Sequence, residues 1–139
     1  MDWQQRETQN WTKTSLRLPR GRRYDPWVHA DALGIQVIVR PIRSANELWM
    51  PEFNTIVIKS GMRSVHQRNA LAHGIGHAAL AHEDDRPKHE HQADRYASLY
   101  LIDPVEFADV TAWTDDPGRI CHELGVTRRL LDAYLSRAS

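Results

Sequence analysis

Two histidines on one predicted helix constrain this chain more than any other feature. His73 and His77 stand four residues apart within the largely apolar stretch Leu71–Leu80. At that spacing two side chains lie on the same face of a helix, one turn apart. The two imidazoles could therefore hold a single metal ion, provided that the fold brings a further ligand from another element.

The spacing is that of the His-Glu-x-x-His signature of zinc peptidases, with one departure. Gly74 stands where the signature has a glutamate, which takes a proton from the metal-bound water. Losing a general base typically costs about 10²–10⁴ in rate. Glycine is also less favourable than alanine inside a helix, by roughly 1 kcal/mol. Gly74 therefore predicts a metal site with impaired catalysis, whether the glycine is a natural loss or a substitution made to silence an enzyme.

A third metal ligand is predicted on the following helix. Glu90 and Asp94 are four residues apart, so they share one helix face. Glu90 could bind the metal while Asp94 accepts the spare N–H of one histidine and so fixes the orientation of that ring. Catalytic zinc takes three protein ligands and leaves a fourth position to water, which makes His73, His77 and Glu90 the predicted set.

Three further histidines leave alternatives open. His82, His89 and His91 cluster nearby in the sequence, and we expect them to be mostly exposed, although any of them could be a rival ligand. His89 or His91 could also serve as a proton donor beside the metal. A histidine pair or an acidic pair alone also occurs on ordinary solvated helices, so the prediction rests on the two pairs together.

Composition limits the classes of function. The 18 basic and 18 acidic side chains among 139 residues balance, which disfavours nucleic acid and anionic membranes as partners. The single cysteine, Cys121, cannot form an internal disulfide, which is consistent with a protein of the reducing cytoplasm. One cysteine also excludes a cysteine-rich zinc module. The basic stretch Arg17–Arg23, together with the last two helices, permits a DNA-binding alternative, which the neutral net charge disfavours. No apolar run approaches membrane-spanning length.

The remaining signals predict an α+β domain, with a small antiparallel sheet packed against about five helices. Residues 1–23 are expected to form a flexible N-terminal extension and residues 24–139 a single domain. Strands are predicted at 35–39, 47–50 and 55–59, and the last two should pair antiparallel around a short turn. A helix is predicted over residues 88–102, and others after the capping residues Asp25, Ser64, Asp103, Asp116 and Thr127.

Several short motifs follow one another in a specific order. Gln67–His73 leads into the histidine pair, Glu90–Ala97 reads Glu-His-Gln-Ala-Asp-Arg-Tyr-Ala, and Leu101–Pro104 reads Leu-Ile-Asp-Pro. Together they resemble the ImmA/IrrE family of zinc metallopeptidases, over most of Asp25–Leu135. The resemblance implies a zincin-like metallopeptidase core in which His73, His77 and Glu90 hold zinc.

The resemblance also implies an activity and a partner. Family members act in the cytoplasm and cleave a helix-turn-helix transcriptional repressor of a phage, a mobile element or a stress locus. The family has its general-base glutamate at the position of Gly74, so this chain is expected to be an impaired enzyme. The alternative is a non-catalytic, zinc-containing binding protein that sequesters a regulator. Neither hypothesis includes a membrane partner or direct binding of nucleic acid.

Overall fold

The computed structural model describes residues 18–136, which form six α-helices and one three-stranded sheet. The predicted α+β fold is confirmed. Short 3-10 turns lie at Gly21–Arg23 and Pro51–Phe53. The helices are α1 (Pro26–Ala32), α2 (Ser64–Ala79), α3 (Pro87–Leu101), α4 (Pro104–Thr111), α5 (Pro117–Leu124) and α6 (Arg128–Ser136), and the strands are β1 (Gln36–Arg40), β2 (Glu47–Met50) and β3 (Thr55–Lys59).

The sheet is mixed, with the strand order β1-β3-β2. β2 and β3 pair antiparallel as predicted, but β1 pairs parallel to β3, so the prediction of a purely antiparallel sheet is wrong. Burial accounts for the strand order. Thr55–Ile58 of β3 is buried throughout, and this most apolar strand takes the central position between the other two. β2 is left at one edge of the described sheet.

Three of the predicted capping residues cap their helices, and one does not. The carboxylates of Asp25, Asp103 and Asp116 accept backbone N–H groups at the starts of α1, α4 and α5, each with a proline at the next position. Ser64 is instead the first residue of α2. Arg63 takes the capping position without a side-chain bond, so the prediction that Ser64 caps this helix is wrong.

α2 lies between the sheet and the C-terminal helices. Its residues Leu71 and Ile75 pack in one buried cluster with Ile56 and Ile58 of β3. Its Ala72 belongs to a second buried cluster, which α3 and the helices after it complete. Within the described residues, no helix is long and apolar enough to cross a membrane.

The turn at Gly21–Arg23 packs against the domain rather than extending from it. Gly21 is buried and adopts a left-handed φ of +75°, and the Arg68 guanidinium donates hydrogen bonds to the carbonyl oxygens of Gly21 and Tyr24. The packed part therefore begins before the predicted boundary at residue 24. Residues 1–17, which carry the rest of the predicted extension, lie outside the described residues.

Candidate metal centre

His73 and His77 face each other on successive turns of α2, as their spacing predicts. Both side chains are buried, and their Nε2 atoms are 3.1 Å apart. The two rings meet nearly at right angles, with an interplanar angle of 86°. Two ring nitrogens therefore point to a common position beside the helix.

Glu90 of α3 brings a carboxylate to the same position. Its Oε1 lies 2.6 Å from Nε2 of His77, and its Oε2 lies 3.2 Å from Nε2 of His73. α2 and α3 can pack this closely because of Gly76. A Cβ added there would lie 2.8 Å from the carbonyl oxygen of Ala93, closer than real Cβ atoms approach. A glycine in α2 thus permits the helix contact that delivers Glu90.

Asp94 orients the first histidine of the pair. Nδ1 of His73 donates a hydrogen bond of 2.7 Å to the Asp94 carboxylate, which Nε of Arg129 also contacts. In the neutral imidazole this bond leaves Nε2 as an unprotonated donor atom for a metal. Burial alone would lower the pKa of His73, but the bond to Asp94 and the charges of Glu47 and Asp94 outweigh it, so the pKa is raised.

His82 orients the second histidine, a role that was not predicted. Nε2 of His82 donates to Oε1 of Gln92 (2.9 Å), so Nδ1 of His82 is free to accept a bond from Nδ1 of His77 (2.9 Å). This arrangement leaves Nε2 of His77 unprotonated and directed at Glu90. Burial, followed by the charge of His73, lowers the pKa of His77.

The expectation that His82 is exposed is wrong, because the chain turns back at the end of α2. Ala81 adopts a positive φ of 57°, and the His82 amide then donates to the carbonyl oxygen of His77. Nε1 of Trp49 donates to the His82 carbonyl and closes the turn from the sheet side. No spacing rule places a residue beyond a helix end in contact with that helix, so the sequence offered no signal for this role.

The two candidate proton donors lie farther out. Nδ1 of His89 is 2.6 Å from Oδ1 of Asp84, and the His89 ring stacks on that of His82 at 4.1 Å. His91 is exposed on the outer face of α3. A role for either histidine as a proton donor stays a prediction.

Glu47 of β2 is the second site residue that the sequence did not reveal. Its side chain is only 13% exposed, and its Oε1 lies 3.6 Å from Nε2 of His73. Its Oε2 is buried and has no hydrogen-bond partner among the described residues. Burial raises the pKa of Glu47 to about 7, against the opposing effect of His73. Ligand atoms of Glu47, His73 and His77 lie within 4.8 Å of one another, so Glu47 competes with Glu90 as a metal ligand.

Two clefts open beside these residues. One, of about 320 Å³, includes His77 and the acidic loop of residues 83–85 in its lining. The other, of about 420 Å³, includes His73 and Arg129. Glu47 and Glu90 line both clefts, so a ligand that occupied the two clefts would pass the histidine pair.

The sequence profile of Peptidase_M78, described as the IrrE N-terminal-like domain, matches residues 30–136. The chain belongs to this family. The resemblance inferred from the ordered motifs is thereby confirmed, and membership supports a metallopeptidase-like function for the Peptidase_M78 domain described above. No curated protein matches the chain.

The donor set of this Peptidase_M78 domain, two imidazoles and a carboxylate, is of a kind that can hold a zinc ion. Zinc bonds of 2.0–2.1 Å in a tetrahedron set ligand atoms about 3.3 Å apart. The distance of 3.1 Å between the Nε2 atoms of His73 and His77 and that of 3.2 Å between His73 and Glu90 are close to this spacing, whereas His77 and Glu90, at 2.6 Å, would have to move apart to hold the ion. Each histidine also has its other nitrogen held by a polar partner, which is usual for metal-binding imidazoles.

Proposed function

We propose that this protein is a zinc metallopeptidase in which His73, His77 and Glu90 hold the metal. The convergence of their three donor atoms, with both imidazoles oriented by hydrogen bonds, carries the proposal. Glu90 is favoured over Glu47 as the third ligand because it approaches both ring nitrogens, whereas Glu47 approaches only His73 and at a longer distance. Zinc bound there would acidify a water molecule and polarise a peptide carbonyl.

The proposed substrate is a helix-turn-helix transcriptional repressor, cut at a peptide bond in an extended segment. The family resemblance supports the class of substrate, and the shape of the site supports the extended conformation. β2 lies at the sheet edge, and its residues Glu47–Trp49 line one of the two clefts. An extended peptide could pair with such an edge strand and cross the site. Because a repressor acts on the chromosome, we place the reaction in the cytoplasm.

A second candidate is a zinc-containing binding protein that sequesters the regulator without cutting it. Gly74 favours this candidate, because the family's general base is missing from α2. The two candidates share the metal site and the partner. They differ in whether the bound regulator is hydrolysed.

The experiment combines metal analysis with cleavage. The purified chain and a His73→Ala variant are analysed for metal by mass spectrometry, and each is then incubated with the helix-turn-helix regulators encoded beside its gene. We expect about one zinc ion per chain, lost in the variant, together with cleavage of one regulator at a defined bond. Tight binding without cleavage would favour the second candidate, and absence of zinc from the wild-type chain would refute both.

A further inference from the structure

The carboxylate of Glu47 lies where the side chain of residue 74 would begin. A Cβ added to Gly74 would be 3.2 Å from Oε2 of Glu47 and 3.1 Å from Cγ2 of Ile56. A glutamate at position 74 would have to extend its Cγ and carboxyl group beyond that Cβ, into space that Glu47 already fills. Glu47 therefore occupies the space that a longer side chain at position 74 would need.

β2 holds Glu47 in this place from outside α2. Glu47 pairs with Ile58 in the antiparallel β2–β3 ladder, and β2 packs against α2. Ile56 of the same ladder lies beside Gly74. Backbone pairing on one side and helix packing on the other thus fix the direction in which the Glu47 side chain enters the site.

The two oxygens of Glu47 have different surroundings. Oε1 faces the ring nitrogen of His73, whereas Oε2 is buried without a partner. A buried carboxylate oxygen without a hydrogen bond costs free energy that a merely structural residue would avoid. Glu47 lines both clefts and its Oε1 faces the histidine pair, so this carboxylate lies beside the position that a water molecule or substrate in the clefts would occupy.

We propose that Glu47 is the general base of this peptidase, supplied from β2 in place of the glutamate that the signature carries at position 74. This inference rests on the proposed function. Glu47 accepts a proton from the attacking water as the water oxygen bonds to the scissile carbonyl carbon. When the C–N bond breaks, the same proton passes to the amine nitrogen, and the products are a carboxylic acid and an amine. Water is the only co-reactant.

The first test removes the charge of Glu47 but keeps its shape. Zinc content and hydrolysis of a defined mixture of short synthetic peptides are measured for the wild-type chain, for Glu47→Gln and for the control Glu52→Gln. Glu52 is exposed on the turn after β2, outside both clefts. We expect Glu47→Gln to keep its zinc and to lose activity by about 10²–10⁴-fold, whereas the control keeps both.

The second test moves the carboxylate back to the helix. Melting temperatures of the metal-free chain are measured for Gly74→Glu, Glu47→Ala and the double variant. We expect Gly74→Glu to lower the melting temperature by several degrees when Glu47 is present and by less when it is replaced by alanine, because the two side chains compete for one volume. The double variant should also regain peptidase activity that Glu47→Ala lacks.

The outcomes separate this inference from the proposed function. Additive shifts in melting temperature would show that the two positions do not share a volume, which overturns the inference whatever the activity. Full activity in Glu47→Gln would also overturn it and leave the proposed function intact. Loss of zinc from Glu47→Gln would make Glu47 a metal ligand rather than the base. A wild-type chain that binds zinc but cleaves neither peptides nor the neighbouring regulators would overturn both proposals.

Discussion

Replacing Glu47 with glutamine should change how the stability of the metal-free protein depends on pH. The folded structure raises the pKa of this carboxyl from 4.5 to about 7, mainly through burial. Between those two pH values the folded state therefore binds more protons than the unfolded chain. The stability of the wild-type protein therefore falls as the pH rises from 4.5 to about 7, because the buried Glu47 carboxyl loses its proton. Glutamine does not titrate, so the Glu47→Gln variant should not show this fall in stability.

The size of the effect follows from the pKa shift. Each unit corresponds to 1.36 kcal/mol, so the shift from 4.5 to about 7 amounts to about 3 kcal/mol once the pH exceeds the folded-state pKa. The side chain is 13% exposed, so solvent screens little of this penalty. The Glu47→Gln variant should thus gain stability over the wild type by about that amount between pH 4.5 and pH 8.

Urea unfolding with a chelator present measures this difference. Tryptophan fluorescence can report the transition, because Trp49 is partly buried beside the site. Glu52→Gln is the matched control, since it replaces an exposed carboxylate on the turn after β2, outside both clefts. A stability difference between Glu47→Gln and wild type that is constant with pH, or that shrinks as pH rises, would refute the reasoning. Glu47 would then have water or a partner in the folded protein.

Three further predictions concern the packing beneath the site, the orientation of His73 and a helix cap outside the site. Gly76→Ala should destabilise the fold by roughly 1–3 kcal/mol in thermal unfolding, since its Cβ would press on the backbone of Ala93. Asp94→Asn should weaken zinc binding about 10–100-fold in chelator competition while leaving one site per chain, because the His73 ring loses its carboxylate acceptor. Asp103→Ala removes the cap of α4, with its two backbone N–H bonds, and should cost about 1 kcal/mol in urea unfolding without changing zinc affinity.

The meeting of His73, His77 and Glu90 could be predicted because it follows from helix periodicity. His73 and His77 repeat at four residues, and so do Glu90 and Asp94. Any helix that carries such a pair presents both side chains on one face, whatever surrounds it. Only one further condition was needed, namely that the two helices pack face to face. The hydrogen bond between His73 and Asp94 and the approach of Glu90 to both histidines meet that condition.

Glu47 and His82 could not be predicted, because their places depend on contacts between elements. Glu47 opens a four-residue strand with no alternating pattern, so the sequence does not say which face of the sheet it occupies. The pairing of β2 with β3 and the packing of α2 decide that. His82 lies beyond the end of α2 and reaches His77 only because the chain reverses at Ala81.

The sequence by itself determined the helices, the strands, the family and the paired candidate metal ligands, since each depends on residues that are close along the chain. The tertiary structure alone decided the strand order, because the most apolar strand gains most from the central position. It also decided which side chain occupies the space beside Gly74. In the sequence, glycine at that position is only a missing glutamate. In the folded protein it leaves room for a carboxylate from a strand 27 positions earlier in the chain, because the packing of α2 on β2 brings residues 47 and 74 together.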